Sequence, residues 1–318
     1  MNSSHEKNIL KNVIKIAVSV VLVVILYFNI DFDYVMHEIE IMPSWFLACV
    51  LLVTVAGMGI EVVKWRVLLK DVSVVPLIKA YLYGNFFTLA LPGQLFGEAA
   101  KMATFGKYTN MYDRSIATVV IDKITGLVGL MMFGLFGLLF TRAELPGALA
   151  GIMLAFIAGA FVVLLSMRVE KVRGGFLSLI ESLRKRTHKL EKFCDSAAGV
   201  VMTWREYLHK PGLLAKSTAY GLLLDAVLIL QYMMVCRQYG IPASIIDLCW
   251  ILPMVNVVQA LPISLAGIGI RDVSMVAMFA YVGVSADSAM ILAIVLLMII
   301  IFQALCGLAC ILWDIARR

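Results

Sequence analysis

Ionisable side chains stand within or beside apolar stretches of this chain, among them Glu98, Lys101, Asp122, Lys123, Asp225, Arg271 and Asp272. An ionised group in a greasy segment is expensive, so where one is kept it faces a partner or a wet cavity and marks a path for substrate or ions. Lys101 follows the sequence Pro92-Gly93, and Arg271 follows Pro262. Helices restarting after those prolines would aim partial positive charge at the same place, and together these groups suit a phosphate. Glu98, Asp122 and Asp225 would meet a cationic head group or carry a coupling proton. Glu98 and Lys101 lie three apart and share a helix face, whereas adjacent residues point apart. Neither Asp122–Lys123 nor Arg271–Asp272 is therefore expected to form an internal pair. Lys123 has the option of snorkelling to the cytoplasmic interface, and Asp122 of lying at head-group depth. Asp225, in mid-helix, has neither option and is the strongest single candidate. Gln94, Asn256, Gln259 and Ser264 supply uncharged polar groups near the same breaks, and Gly97, Gly267 and Gly269 let backbone approach closely.

The elements that must hold these groups are set by composition. Hydrophobic residues make up 62% of the 318 and charged residues 15%, against about 45–50% and about 25% in soluble domains. Several apolar runs reach the length of roughly 20 residues that crosses a bilayer. The chain reads as an all-α polytopic membrane protein, one integral membrane domain over residues 1–318. No secretory cleavage site follows the run Ile16–Ile30, because the next residues are DFDYVMHEIE, so this run reads as a retained helix. The four His are scattered, and no metal or cofactor is expected. Cys236 and Cys249 could lie near one membrane face, but a disulfide between them is the weaker reading.

Spanning segments are expected at 14–30, 44–64, 116–140, 147–167, 213–236 and 287–313. Lys and Arg of short loops collect on the cytoplasmic side. Residues 31–43 hold four acids and no Lys or Arg, so they read as an outer loop. Lys64, Arg66, Lys70 and Lys79 read as inside, as do residues 168–210 with ten Lys/Arg against five acids. Both termini then face the cytoplasm. This asymmetry accounts for the +6 net charge, so nucleic-acid binding is not indicated. Only 12 residues separate Lys79 from Pro92, roughly 18 Å of helix, too little for a core of about 30 Å. That segment should enter and leave by the same face, turning at Leu91-Pro92-Gly93. Residues 248–270 are interrupted by Pro253, Asn256, Gln259, Pro262, Gly267 and Gly269, and read as a second re-entrant segment from the outer side. About six full spans and two re-entrant broken segments result.

Residues 90–97 read ALPGQLFG and residues 260–267 read ALPISLAG. The shift of about 170 also maps helix 44–64 onto 213–236 and helix 116–140 onto 288–312. The charge rule starts one copy outside and the other inside, which predicts an inverted repeat of 44–141 and 213–313. Interrupted segments matched across two halves point to a transporter binding site near the midplane, since irregular backbone at that depth survives only against protein or water. The alternative is a pair of kinked helices packed for structural reasons.

Residues 172–209 carry a heptad-like stripe of Phe176, Ile180, Leu183, Thr187, Leu190, Cys194, Ala197, Val201, Trp204 and Leu208, with Arg184, Lys185, Arg186, Lys189 and Lys192 on other faces. It predicts a basic cytoplasmic helical segment over 168–210, one amphipathic helix or a hairpin, packed under the membrane domain, drawn to anionic lipid at about 1 kcal/mol per basic residue near the surface, or both.

The motifs resemble the lysylphosphatidylglycerol synthase transmembrane-region family, the flippase half of the bacterial multiple-peptide-resistance factor, over about residues 10–313. The family's Pro-x-x-x-x-Gly-Glu-x-x-Arg stands here as Pro92-Gly-Gln-Leu-Phe-Gly97-Glu98-Ala-Ala-Lys101. Its acid-Arg pair before Gly-Leu stands as Asp122-Lys123-Ile-Thr-Gly126-Leu127. Its Leu-Pro-x-Ser-x-x-Gly-x-Gly-x-Arg-Glu stands as Leu261-Pro262-Ile-Ser264-Leu-Ala-Gly267-Ile-Gly269-Ile-Arg271-Asp272. Lys in place of Arg loses the planar fork that grips phosphate. The resemblance implies translocation of an anionic or aminoacylated phospholipid, or of an isoprenoid-phosphate-linked head group, across the cytoplasmic membrane. The family's cytosolic aminoacyl-transferase domain is not in this chain, so lysyl-lipid synthesis is not implied. Membrane lipids are the expected partners, with lipid-modifying enzymes or glycosyltransferases beside them. One alternative is a membrane glycosyltransferase using a lipid-phosphate donor, with Asp31, Asp33, His37 and Glu38 as its outer-loop acids and base. Another is a non-transporting assembly partner.

Overall fold

A computed structural model describes residues 30–91, 94–143, 147–166, 168–186, 191–260 and 269–317. The expected first span (apart from Ile30), the break residues Pro92 and Gly93, and Pro262, Ser264 and Gly267 of the second motif lie outside the described residues, as does the side chain of Gln94. Every regular element among the described residues is an α-helix. Four helices among the described residues are long and apolar enough to cross a membrane, and the protein is an all-α polytopic membrane protein.

Helix α1 (Phe32–Glu40) precedes the first long helix, α2 (Ser44–Leu68). Then come α3 (Val74–Ala90) and α4 (Gln94–Thr109). The 17 residues of α3 rise about 25 Å, short of a bilayer core of about 30 Å. Helix α4 returns alongside α3. Gly84 faces Gly97 and Lys101, while Thr88, one turn on, faces Gly97, so the two run antiparallel as a hairpin. A Cβ on Gly97 would lie 1.8 Å from Thr88 Oγ1 and 2.8 Å from the Gly84 carbonyl, so glycine is required for this approach.

The long α5 (Tyr112–Phe140) follows, then α6 (Ala148–Ser166) and two further helices, α7 (Glu170–Arg186) and α8 (Glu191–Leu208). The second half repeats the order of the first: long α9 (Pro211–Gln238), short α10 (Ile245–Ala260), short α11 (Ile270–Ala280) and long α12 (Ala286–Ala316). Its packing is reciprocal with the first half. Helix α3 lies on α12 and α10 lies on α5, while α4 flanks α5, α11 flanks α12, and α2 runs against α9. Two glycines make the crossings close. A Cβ on Gly307 of α12 would sit 2.2 Å from the Leu82 carbonyl oxygen of α3, and one on Gly137 of α5 would sit 2.6 Å from the Trp250 nitrogen of α10. These glycines are 170 positions apart, the shift that relates the two sequence phrases.

Apolar packing forms two cores. One gathers Leu248, Trp250, Ile251 and Leu252 of α10 with Met131, Met153, Phe279 and Ile291. The other joins Trp65, Leu68, Phe105 and Ile121 to Val201 and Trp204 of α8, which fastens that helix to the membrane helices.

One region differs from the sequence-based expectation, and another takes one of the two forms expected for it. Residues 31–43, expected as a solvated loop, contain a helix. The Asp31 carboxylate accepts from the Tyr34 nitrogen at 3.0 Å as its cap, and Val35, Ile39 and Met42 pack on the core. The acid count hid that apolar face. The heptad-like stripe is divided between α7 and α8, which pack together as a hairpin. On α8 its Cys194, Val201, Trp204 and Leu208 are buried, whereas Phe176 and Leu183 of α7 are exposed. Cys236 and Cys249 are buried free thiols.

Candidate functional site

Five helices converge on a cavity of about 280 Å³. Helix α2 contributes Glu61. The hairpin supplies Tyr81, Asn85 and Thr88 from α3, and Gly97, Glu98 and Lys101 from α4. Lys123 comes from α5 and Asn256 from α10, so both halves of the chain reach this wall.

Asp122 is the buried centre behind the cavity. Lys64 of α2 places its ammonium 3.1 Å from Asp122 Oδ1 and donates to the Asp122 carbonyl oxygen at 3.0 Å. The Lys101 ammonium is 3.9 Å from Asp122 Oδ2. It also stands 4.5 Å above the Trp65 ring and 5.8 Å from that of Tyr81. Trp65 is fixed in turn, because its Nε1 donates to Thr118 Oγ1 at 3.1 Å and its ring packs on Phe105. Lys123, the next residue along α5, points away from Asp122 and pairs with Glu98 Oε1 at 2.7 Å. Its side chain is 61% exposed and forms part of the cavity wall.

The ensemble is charge-balanced: Lys64, Lys101 and Lys123 against Glu61, Glu98 and Asp122. Among the described residues of the cavity wall, Asn85 Nδ2 and Glu98 Oε2 are buried polar atoms with neither a hydrogen bond nor an ion pair. A buried donor and acceptor left open are costly, and a polar ligand in the cavity would relieve both. A phosphate would compete with Asp122 and Glu98 for lysines. An ammonium group would compete for the carboxylates.

The other residues singled out from sequence lie elsewhere. Asp225, on α9, is not in the cavity wall, and its Oδ2 is buried without a partner. Gln259 is half-buried near the end of α10. Arg271 and Asp272 are buried, and, against expectation, they bond to one another. Arg271 Nε and Nη2 donate to Asp272 Oδ1 at 2.8 and 2.6 Å, and Nη2 also donates to the Ala293 carbonyl at 3.3 Å. The rule that neighbours on a helix diverge fails here because the long arginine folds back over the first turn of α11. Asp272 Oδ2 also accepts from the Gly269 nitrogen at 3.0 Å. Gly269 itself has φ of +86°, a conformation that favours glycine. This second motif therefore fixes the start of α11.

Sequence reading missed Glu61, Lys64, Trp65, Tyr81 and Asn85. Glu61 and Lys64 are spaced by three within one apolar run, as Glu98 and Lys101 are, and that was the available signal. The charge rule absorbed Lys64 into a cytoplasmic loop, whereas it lies within α2, 3% exposed.

No curated protein and no solved structure matches the chain. The family model described as the lysylphosphatidylglycerol synthase TM region does match, over residues 12–307. That span is nearly the whole molecule, and the chain belongs to this family.

Proposed function

We propose that the protein is a lipid translocase. In this reading it moves the head group of an anionic or aminoacylated phospholipid, or one linked through isoprenoid phosphate, between the leaflets of the cytoplasmic membrane. The observation that carries this is the cavity of about 280 Å³, with three lysines and three carboxylates in and behind its wall, set among helices long enough to cross a bilayer. Charges are kept at such depth where a polar group must pass or bind. The reciprocal packing of the two halves supports an inverted repeat, with α3–α4 and α10–α11 as hairpins entering from opposite faces. Inverted repeats built around interrupted helices form midplane binding sites and provide two alternating openings. Family membership favours lipid as the cargo. The Asp31 carboxylate serves as a helix cap, which argues against the glycosyltransferase alternative.

The test is reconstitution into liposomes holding fluorescent phosphatidylglycerol, aminoacyl-phosphatidylglycerol or an isoprenoid phosphate, with a membrane-impermeant quencher outside. Quenching beyond the outer-leaflet fraction is expected for at least one lipid, and Lys101→Gln should slow it. If all three lipids cross no faster than in protein-free vesicles, the reading is rejected.

A further inference from the structure

We infer that translocation is coupled to proton movement and that Asp225 carries the proton. This rests on the transport reading above. The first observation is a count. The three lysines in and behind the cavity wall are matched in number by Glu61, Glu98 and Asp122, and Asp225 is a fourth carboxylate with no fourth cation beside it among the described residues. A buried carboxyl without a counter-ion is held far more readily as the neutral acid than as an anion.

The second observation is geometric. Asp225 Oδ2 is buried and has no hydrogen-bond partner. Helix α5 presents Gly129 to it, where a Cβ would lie 2.9 Å from Oδ2 and 3.2 Å from the Leu222 nitrogen. The two helices therefore touch backbone to backbone there, which leaves no room for a counter-ion at that position of α5. The charged neighbours acting on Asp225 are Lys64 and Glu61 of α2. Asp122 lies two helical turns from Gly129 along α5, with Lys123 one residue nearer. On α9 itself the nearest charged residues, Lys216 and Arg237, are more than two turns away. Helices α8, α10 and α12 also touch α9, and none sets a charged group against Asp225 among the described residues.

The third observation links Asp225 to the cavity. The Lys64 ammonium lies 3.1 Å from the position a Cβ would take on Gly126, one turn along α5 from Gly129. Lys64 and Asp225 thus occupy neighbouring places on one glycine-lined strip. A short swing of Lys64 away from Asp122 gives Asp225 its counter-ion and leaves Asp122 with Lys101. The Asp225 O–H bond then breaks, the proton passes to a water admitted along the path that Lys64 opens behind the cavity wall, and the carboxylate pairs with the Lys64 ammonium. The reverse swing takes a proton back. No electrons are transferred. A head group in the cavity competes for the same charged partners, which ties the position of Lys64 to occupancy.

The experiment uses the full chain in vesicles of phosphatidylethanolamine and phosphatidylglycerol, with a trace of whichever fluorescent lipid crosses in the assay above. An imposed pH gradient should change the wild-type rate several-fold, and lipid movement should shift the signal of an entrapped pH dye. In Asp225→Asn the ratio of rates with and without the gradient should fall to one, and Asp225→Glu should restore it. An infrared C=O band of a protonated carboxyl, present in the wild type at neutral pH and absent from Asp225→Asn, is a readout independent of lipid and is measured on folded protein. Lipid movement indifferent to the gradient in the wild type overturns the inference and leaves the transport reading standing. So does an infrared spectrum unchanged by Asp225→Asn. No lipid movement under any gradient overturns both.

Discussion

The Lys64 ammonium lies 3.1 Å from the Asp122 carboxylate, and both side chains are almost fully buried. Asp122 also serves Lys101, so the two ends of this interaction are unequal. Removing one partner of a buried pair leaves a charge uncompensated, at a cost of about 3–5 kcal/mol. Lys64→Met should destabilise the detergent-solubilised protein by about 3 kcal/mol, because Lys101 remains to Asp122. Asp122→Ala strands two lysines and should be the more damaging. Thermal unfolding of both variants checks the order; a Lys64→Met protein less stable than Asp122→Ala would contradict the arrangement.

At the end of α12, Asp314 accepts from Lys79 at 2.6 Å, from Tyr108 at 2.6 Å and from Tyr83 at 3.2 Å. One carboxylate thereby ties α12 to both helices of the α3–α4 hairpin. Hydrogen bonds to a charged group are worth about 1.5–3 kcal/mol, and partial exposure of Lys79 reduces that here. Asp314→Asn should cost about 1–2 kcal/mol and increase hydrogen exchange in 74–90. Tyr83→Phe, which loses the longest contact, should cost least among the four residues.

In the turn after α2, the Arg114 guanidinium donates to Asp71 at 2.5 Å. That bond holds the Asp71 carboxyl below its ordinary value of 3.8. A carboxyl pKa lowered by folding stabilises the fold when pH is above the unfolded value, and the contribution is lost as pH falls through the folded one. Asp71 is 66% exposed, so the effect is below about 1 kcal/mol. Asp71→Asn should destabilise slightly at neutral pH and not at all well below pH 4 or so. High salt should shrink the difference. Chemical denaturation at both pH values measures it.

Gly137 and Gly307 make matching backbone contacts in the two halves. Alanine at either has its Cβ driven into main chain, 2.6 Å from the Trp250 nitrogen or 2.2 Å from the Leu82 oxygen. Each substitution should cost on the order of 1–3 kcal/mol through overpacking. Gly151, with open space around it, should accept alanine without loss. Equal tolerance at all three positions would remove the basis for the close crossings.

Much of the architecture was legible because lipid leaves few choices: run length set the long helices, and the prolines set the limits of α3. The hairpin turn follows from arithmetic on Lys79 and Pro92. What could not be read was which side chains meet. The 3.6-residue period places Glu98 and Lys101 on one face, but only packing brings Lys64 to Asp122, 58 positions later. The divergence of adjacent residues held for Asp122 and Lys123 and failed for Arg271 and Asp272, because a four-atom arginine stem can double back where a lysine has a better partner elsewhere. Helix α1 was obscured by its own acids, whose charge speaks to topology and whose spacing speaks to structure.

The crossed leaning of α3 on α12 and of α10 on α5 has a consequence for how the chain can be divided. A fragment ending near residue 143 keeps one hairpin but forfeits the helix that hairpin rests against. The complementary fragment has the mirror-image deficit. Neither piece should hold together alone, yet both, made as separate polypeptides in one membrane, carry every surface needed to reassemble.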